Sequence, residues 1–152
     1  MPNKIYKLSK FFSDKKLFLL NNRGQSPAFF LKKKNFKVDK IAVKKLKEFS
    51  KNNNNINCRI CLHQSISEKI HSMLVLINKA NKFEIHKHKN TSEFYQLISG
   101  KIKITLYNNR KKKIKQLILK EKGDIYSVSK NQSHNLVPLT KFATFHETKS
   151  NK

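Results

Sequence analysis

The chain has 152 residues and a mass of 17.9 kDa, room for one domain and a modest core. It carries 34 Lys+Arg against 9 Asp+Glu, a formal charge of +25, yet 38% of its residues are hydrophobic and eleven Phe and four Tyr supply packing volume. That is too apolar for a disordered basic tail, no run nears the roughly 18 apolar residues of a membrane span, and two cysteines make no disulfide framework, which argues against a multidomain enzyme, an integral membrane protein and a disulfide scaffold.

The charge itself is weak guidance. All but Arg23, Arg59 and Arg110 of the cations are lysine, and they are spread along the chain beside many asparagines. Specific readers of nucleic acid rely on arginine forks for base edges and phosphates, so no specific nucleic-acid partner is expected.

Residues 1–28 lack clear periodicity and read as an N-terminal extension, with a turn at Asn21, Asn22, Arg23 and Gly24. The domain is taken as 29–148, followed by a tail at 149–152. Phe29 opens a short strand. Residues 38–49 read as a helix, with Asp39 as N-cap and Ile41, Val43, Leu46 and Phe49 as the apolar stripe. After a polar loop the pattern changes to short strands at 58–63, 71–77, 84–88, 94–98, 102–107, 114–119, 125–128, 135–137 and 143–147. Turn residues separate them, and Asn108 and Asn109 mark a hairpin tip. Such spacing predicts an all-β sandwich or barrel with a short N-terminal helix.

The chemistry concentrates at His86, Lys87, His88 and the following residues to Glu93. On a strand, residues i and i+2 share a face, so His86 and His88 present two imidazoles together. Glu93 opens the return strand and brings a carboxylate back, and His134 precedes a later strand. Imidazoles plus one carboxylate suit a divalent first-row metal with positions left open. An isolated H-x-H is often a surface pair; the downstream spacing decides. H-x-H-x4-E-x6-G spans 86–100, and G-x5-S-x-N-x2-H spans 123–134, so two of the three glycines fall at motif turns.

These two patterns resemble the motifs of the cupin superfamily. Ala80, Ser129, Asn131 and Pro138 replace that family's first-motif glycine, proline, second glycine and final asparagine, while every ligand position matches. The resemblance implies a double-stranded β-helix, a jelly-roll barrel, with one divalent transition metal (Fe, Mn, Zn or Ni) held by His86, His88, Glu93 and His134. A narrower resemblance, over about two-thirds of the chain, is to the WbuC family of cupin-fold metalloproteins. It rests on Arg59, Ile60, Cys61, Leu62 and His63, on His71 to Leu74, on the histidine stretch, and on Phe145 to Thr148. It implies a cytoplasmic bacterial protein of surface-polysaccharide (O-antigen) biosynthesis. The chain departs from these relatives after Thr148, where their Gly-Pro-aromatic continuation is missing.

Strand parity adds further candidates. Arg59, Cys61 and His63 share a face; Arg59 suits a substrate carboxylate or phosphate, and His63 a base. Tyr95 has the parity of Glu93, which aims its phenol toward the metal. Cys58 and Cys61 point to opposite faces, which argues against zinc, and two unpaired thiols suit a reducing cytoplasm. The expected substrate is a sugar or nucleotide-sugar, and the expected reaction isomerisation or epimerisation with Tyr95 and His63 in catalytic roles. Open alternatives are a non-catalytic sugar-binding or regulatory module and an Fe(II) dioxygenase; the cupin resemblance also implies a homodimer through sheet edges.

Overall fold

A computed structural model describes residues 5–81 and 83–150. Ten strands and two helices follow in the order α1 (Lys10–Ser13), β1 (Phe18–Asn21), β2 (Ala28–Leu31), α2 (Lys40–Asn52), β3 (Cys58–Cys61), β4 (Ile70–Asn78), β5 (Glu93–Ser99), β6 (Ile102–Tyr107), β7 (Lys113–Leu119), β8 (Ile125–Val128), β9 (Ser133–Pro138) and β10 (Phe142–Ser150). One sheet runs β1-β2-β3-β4-β10-β5-β8 and a second runs β7-β6-β9. The fold is all-β, as the strand spacing predicts, and is the jelly roll that the cupin resemblance implies.

The helix forms where the apolar stripe placed it. The Asp39 carboxylate accepts hydrogen bonds from the amides of Ile41 and Ala42, which satisfies two of the orphan donors of the first turn. Ala42, Leu46 and Phe49 are buried, while Ile41 stays 61% exposed. The helix lies in the crossover between β2 and β3. Those strands pair in parallel and therefore need a long connection rather than a tight turn.

Three apolar clusters divide the interior. The first covers the outer face of the large sheet: Phe12, Phe18, Phe29 and Phe49 pack with Leu46, Ile60 and Leu74. Phe12 and Phe29 stack with centroids 4.0 Å apart, and Phe49 meets Phe29 edge-on at 4.9 Å. The second lies between the two sheets and includes Tyr95, Leu97, Ile102, Ile104 and Phe145. A third, small cluster of Ala28, Phe30, Cys61 and Met73 lines one wall of the barrel. β2 contributes to both faces, and all four of its residues are buried. Its unbroken apolar run follows from this two-sided burial.

One segment departs from the sequence reading. Residues 84–88 are not a regular strand: they are joined to the sheet by a bridge between His86 and His134, with both backbone hydrogen bonds at 2.9 Å. The amide of Asn131 also donates to the His88 carbonyl at 2.7 Å. Three backbone bonds from the β8–β9 turn and β9 thus hold the segment in place of a ladder, and the strand parity argument for His86 and His88 is replaced by this clamp.

Candidate metal centre

The donor atoms of His86, His88 and Glu93 lie within 4.8 Å of one another. Each is placed by a different device. His86 is fixed by its bridge to β9, His88 by the Asn131 amide, and Glu93 by its position as the first residue of β5. Glu93 is buried, His88 half-buried and His86 exposed. His134, at the head of β9, is fully buried, and its Nε2 lies 3.1 Å from Glu93 Oε2. His88 Nε2 lies 3.1 Å from the other carboxylate oxygen, Oε1. The His86 and His134 rings approach to 4.4 Å between centroids.

Electrostatics favour the ligating form of these groups. Burial pushes the Glu93 carboxyl up, but hydrogen bonding from His134 and Tyr95 and the Lys149 ammonium outweigh it and hold it down at about 2. Burial lowers His86 and His88 below their ordinary value, with the carboxylate opposing at His88. Glu93 is therefore anionic, and His86 and His88 are neutral, near neutral pH.

Ring hydrogen bonds test whether a cation fits. His134 Nδ1 meets the Gln132 carbonyl at 2.9 Å, and His86 Nδ1 meets the Glu84 carbonyl at 3.3 Å. A carbonyl can only accept, so each Nδ1 donates and each neutral ring turns an Nε2 lone pair away from it. The Tyr95 hydroxyl spends its hydrogen on Glu93 Oε2 at 2.8 Å and stands 3.1 Å from His134 Nε2. If the His134 ring carries only its Nδ1 proton, its lone pair faces a carboxylate oxygen, so either a second ring proton donated to Glu93 or a cation must stand between them. A divalent cation resolves that repulsion, and 3.1 Å matches the gap between neighbouring ligands of an ion with bonds of about 2.1 Å. Carbonyl acceptors on the remote ring nitrogens are also the usual support of metal-binding imidazoles. The donor set fits a divalent transition metal.

The group opens onto a cavity of about 900 Å³. Arg59, His63, Cys61 and Met73 line its far wall, Tyr95 and Phe145 its floor. Arg59, Cys61 and His63 share the face that parity assigned them. Arg59 donates to Ser26 Oγ at 2.8 Å, and no carboxylate pairs with it among the described residues. His63 is buried, uses Nδ1 on the Ser72 backbone and stacks on His71 at 4.2 Å and 3°. It stands three strands away from Glu93, about 14 Å, and so addresses a bound molecule rather than the metal group. Cys58 packs in the outer cluster, on the opposite face from Cys61; burial pushes the Cys58 thiol far up and Cys61 to about 11, so neither is a ready thiolate.

Tyr95 is buried directly beneath the carboxylate. Burial, reinforced by Glu147 and Glu93, drives its phenol well above the ordinary value, so it remains a hydrogen-bond donor that orients Glu93. Two cavity residues were not singled out from the sequence. Glu147 stands opposite Tyr95 in the sheet and Lys149 opposite Glu93. Lys149 Nζ lies 3.5 Å from Glu93 and 3.4 Å from Glu147. Burial raises the Glu147 carboxyl, with Lys149 opposing. Alternation along β10 from Phe145 was the available signal for both, but it required knowing that β10 lies between β4 and β5.

The strands form a jelly roll of the cupin type, and the histidine–carboxylate group is its candidate metal centre. A family model described as "Domain of unknown function (DUF6016)" matches residues 38–119, more than half of the chain, and the chain belongs to that family. Among solved structures it is similar to the cupin domain of Schizosaccharomyces pombe Cnp3, with 12% identity and a TM-score of 0.52 over 63% of this chain and 61% of that one. It is also similar to KdgF from Halomonas sp., at 13% identity and TM-score 0.48 over 59% of this chain and 76% of that one. For oxalate decarboxylase from Bacillus subtilis the values are 25% and 0.47, over 57% of this chain and 22% of that one. The match thus spans less than two-thirds of Cnp3's cupin domain and under a quarter of oxalate decarboxylase. No curated protein matches the chain. Among the described residues no helix is long and apolar enough to cross a membrane.

Proposed function

We propose that this cupin binds one divalent transition metal through His86, His88, Glu93 and His134 and uses it on an oxygen-rich small molecule, a sugar or nucleotide-sugar, by isomerisation or epimerisation. The observation that carries the reading is the convergence of three donor side chains within 4.8 Å at the mouth of a cavity of about 900 Å³. The resemblance to the WbuC family supports a place in bacterial surface-polysaccharide synthesis, and two free buried thiols support a reducing compartment.

When bound, the metal supplies a Lewis acid that polarises a carbonyl or hydroxyl oxygen. The protein's own residues do the rest. Tyr95 holds the Glu93 carboxylate in place with its hydroxyl, and Arg59 presents an unpaired guanidinium to an anionic group of the substrate. His63, kept neutral by burial, lines the cavity wall about 14 Å from Glu93 and would hold the part of the bound molecule remote from the metal. Phe145, Met73 and Phe30 line the cavity and limit water at the reacting atoms.

Metal analysis of the purified protein tests this. Stoichiometric metal is expected in the native chain, with loss in His86→Ala, in His134→Ala and in Glu93→Gln. Native protein that refuses Fe, Mn, Zn and Ni alike, while remaining folded, would sink the proposal. A non-catalytic binding role is the second reading, favoured by the engagement of the Tyr95 hydroxyl with Glu93. Nucleotide-sugars that bind the metal-loaded protein and emerge unchanged would establish it.

A further inference from the structure

The registers of the large sheet align a row of side chains across four strands. His71 on β4 stands opposite Lys149 on β10, and Lys149 stands opposite Glu93 on β5. His63, just beyond β3, stacks on His71 and extends the row by one strand. Arg59 lies on the same face of β3, and all five residues line the one cavity. Neighbouring strands lie about 4.8 Å apart, so the row runs about 14 Å from His63 to Glu93. It therefore leads from a guanidinium and two imidazoles, past an ammonium, to the histidine–carboxylate group.

Arg59, His63 and Lys149 retain donor capacity, while His71 spends its Nε2 on the Ile66 carbonyl at 3.1 Å and contributes the ring on which His63 stacks. Arg59 donates to Ser26 Oγ and interacts with the Cys61 sulfur, and no carboxylate stands within ion-pair distance of it among the described residues. The hydrogen bonds of the buried His63 ring run through Nδ1, which leaves Nε2 for a ligand. Lys149 reaches its two carboxylates only at 3.4 and 3.5 Å, long for charge-assisted bonds. Glu147 and Glu93 also face the row, and Lys149 lies between them to offset their charge. Glu147 acts on the half-buried Arg59 guanidinium at longer range, and an anion in the cavity would supply the direct partner that it lacks. Arg59 and His63 stand four residues apart on one face, about 13 Å along the strand, with the row of Cys61, Met73, Glu147 and Tyr95 between theirs, so the donors are spread over a length that suits an extended anion better than a single phosphate.

We infer that Arg59, His63, His71 and Lys149 form a track for the diphosphate of a nucleoside diphosphate-linked substrate, with the reacting group delivered to the metal centre. The delivery rests on the proposed function; the track stands on the sheet register and the cavity. The nucleoside lies toward the Ser26 and Arg59 end, and the linked sugar lies toward Glu93.

Calorimetric titration of the purified full chain tests the inference, with orthophosphate, inorganic pyrophosphate and uridine diphosphate as probes. One site per chain is expected, about tenfold tighter for pyrophosphate than for orthophosphate, with uridine diphosphate at least equal to pyrophosphate. Arg59→Gln should weaken both diphosphates by about tenfold, His71→Gln should weaken them less, and Arg59→Lys should recover part of the loss. Lys111→Gln with Lys113→Gln, on the β6–β7 hairpin, controls for the general positive charge and should change affinity less than about twofold. Equal losses in the cavity and hairpin variants would overturn the track. So would indifference to Arg59→Gln in a folded protein, failure of the folded native chain to bind pyrophosphate, or binding of pyrophosphate but not of uridine diphosphate. Metal content is read separately: stoichiometric metal without diphosphate binding removes the track alone, and the converse removes the metal reading alone.

Discussion

Gly100 turns the chain from β5 into β6 with φ +84°, and a Cβ there would stand 2.5 Å from the Phe142 carbonyl oxygen and 2.9 Å from Ala143 Cα. Gly123 has φ +96° but no atom within 4 Å of the same position. The two glycines thus separate packing from backbone strain. Gly100→Ala is expected to cost about 3 kcal/mol, from overlap with a backbone that cannot yield plus the conformational penalty. Gly123→Ala should cost about 1 kcal/mol, from conformation alone. Urea unfolding midpoints of the two variants check this, and equal shifts would refute the distinction. Asn131 illustrates how the motif survives a replaced glycine. Its φ of +62° lies in the left-handed region, which asparagine tolerates better than most residues, and its amide still reaches the His88 carbonyl. The grouping of His86, His88 and Glu93 was legible in the sequence because their spacing resembles the first cupin motif. Lys149 and Glu147 were not, because their place beside Glu93 depends on which strand lies next to which.

At the scale of elements, the helix shows how much local chemistry decides. Asp39 bonds two first-turn amides, and the stripe behind it buries Leu46 and Phe49 against the phenylalanine cluster. Asp39→Ala should destabilise the protein by about 1 kcal/mol without affecting metal content, since the helix packs on the outer face of the sheet. Thermal unfolding and metal analysis of the same sample check both halves; loss of metal in a folded variant would show that the helix positions the site. Strands β5 and β9 were legible because burial alternates along them, with Glu93, Tyr95 and Leu97 of β5 pointing inward. β1 and β2 were hard to read. β2 is buried on both faces, and the N-terminal phenylalanines are spaced for a cluster rather than for one helix or strand. The 84–88 segment misled for a different reason: its alternation places ligands at a cavity mouth, and the bonds that hold it come from residues more than forty positions away.

Over the whole molecule, the excess of lysine bears on stability more directly than on partners. With 34 basic and 9 acidic side chains, few cations can find a carboxylate, and most of the charge is mutually repulsive. Buried histidines add a pH dependence of known sign. Burial lowers the pKa of His63 and of His146 in the folded chain. Below the unfolded value of about 6.5 the unfolded chain binds more protons than the folded one, so stability is lost as pH falls through that value toward the folded ones. His63 is faced by Arg59 and His71, which oppose its protonation, and by Glu68, which favours it. Glu93, held at about 2, stays ionised throughout this range and does not contribute to the loss. The melting temperature should therefore fall steadily between about pH 8 and pH 5.5. Each proton taken up also adds to an already repulsive surface, so sodium chloride at about 0.3 M should raise the melting temperature, and by more at pH 5.5 than at pH 8. Scanning calorimetry across pH and salt measures both effects. A melting temperature that rises on acidification, or falls on adding salt, would show that ion pairs rather than repulsion govern this surface.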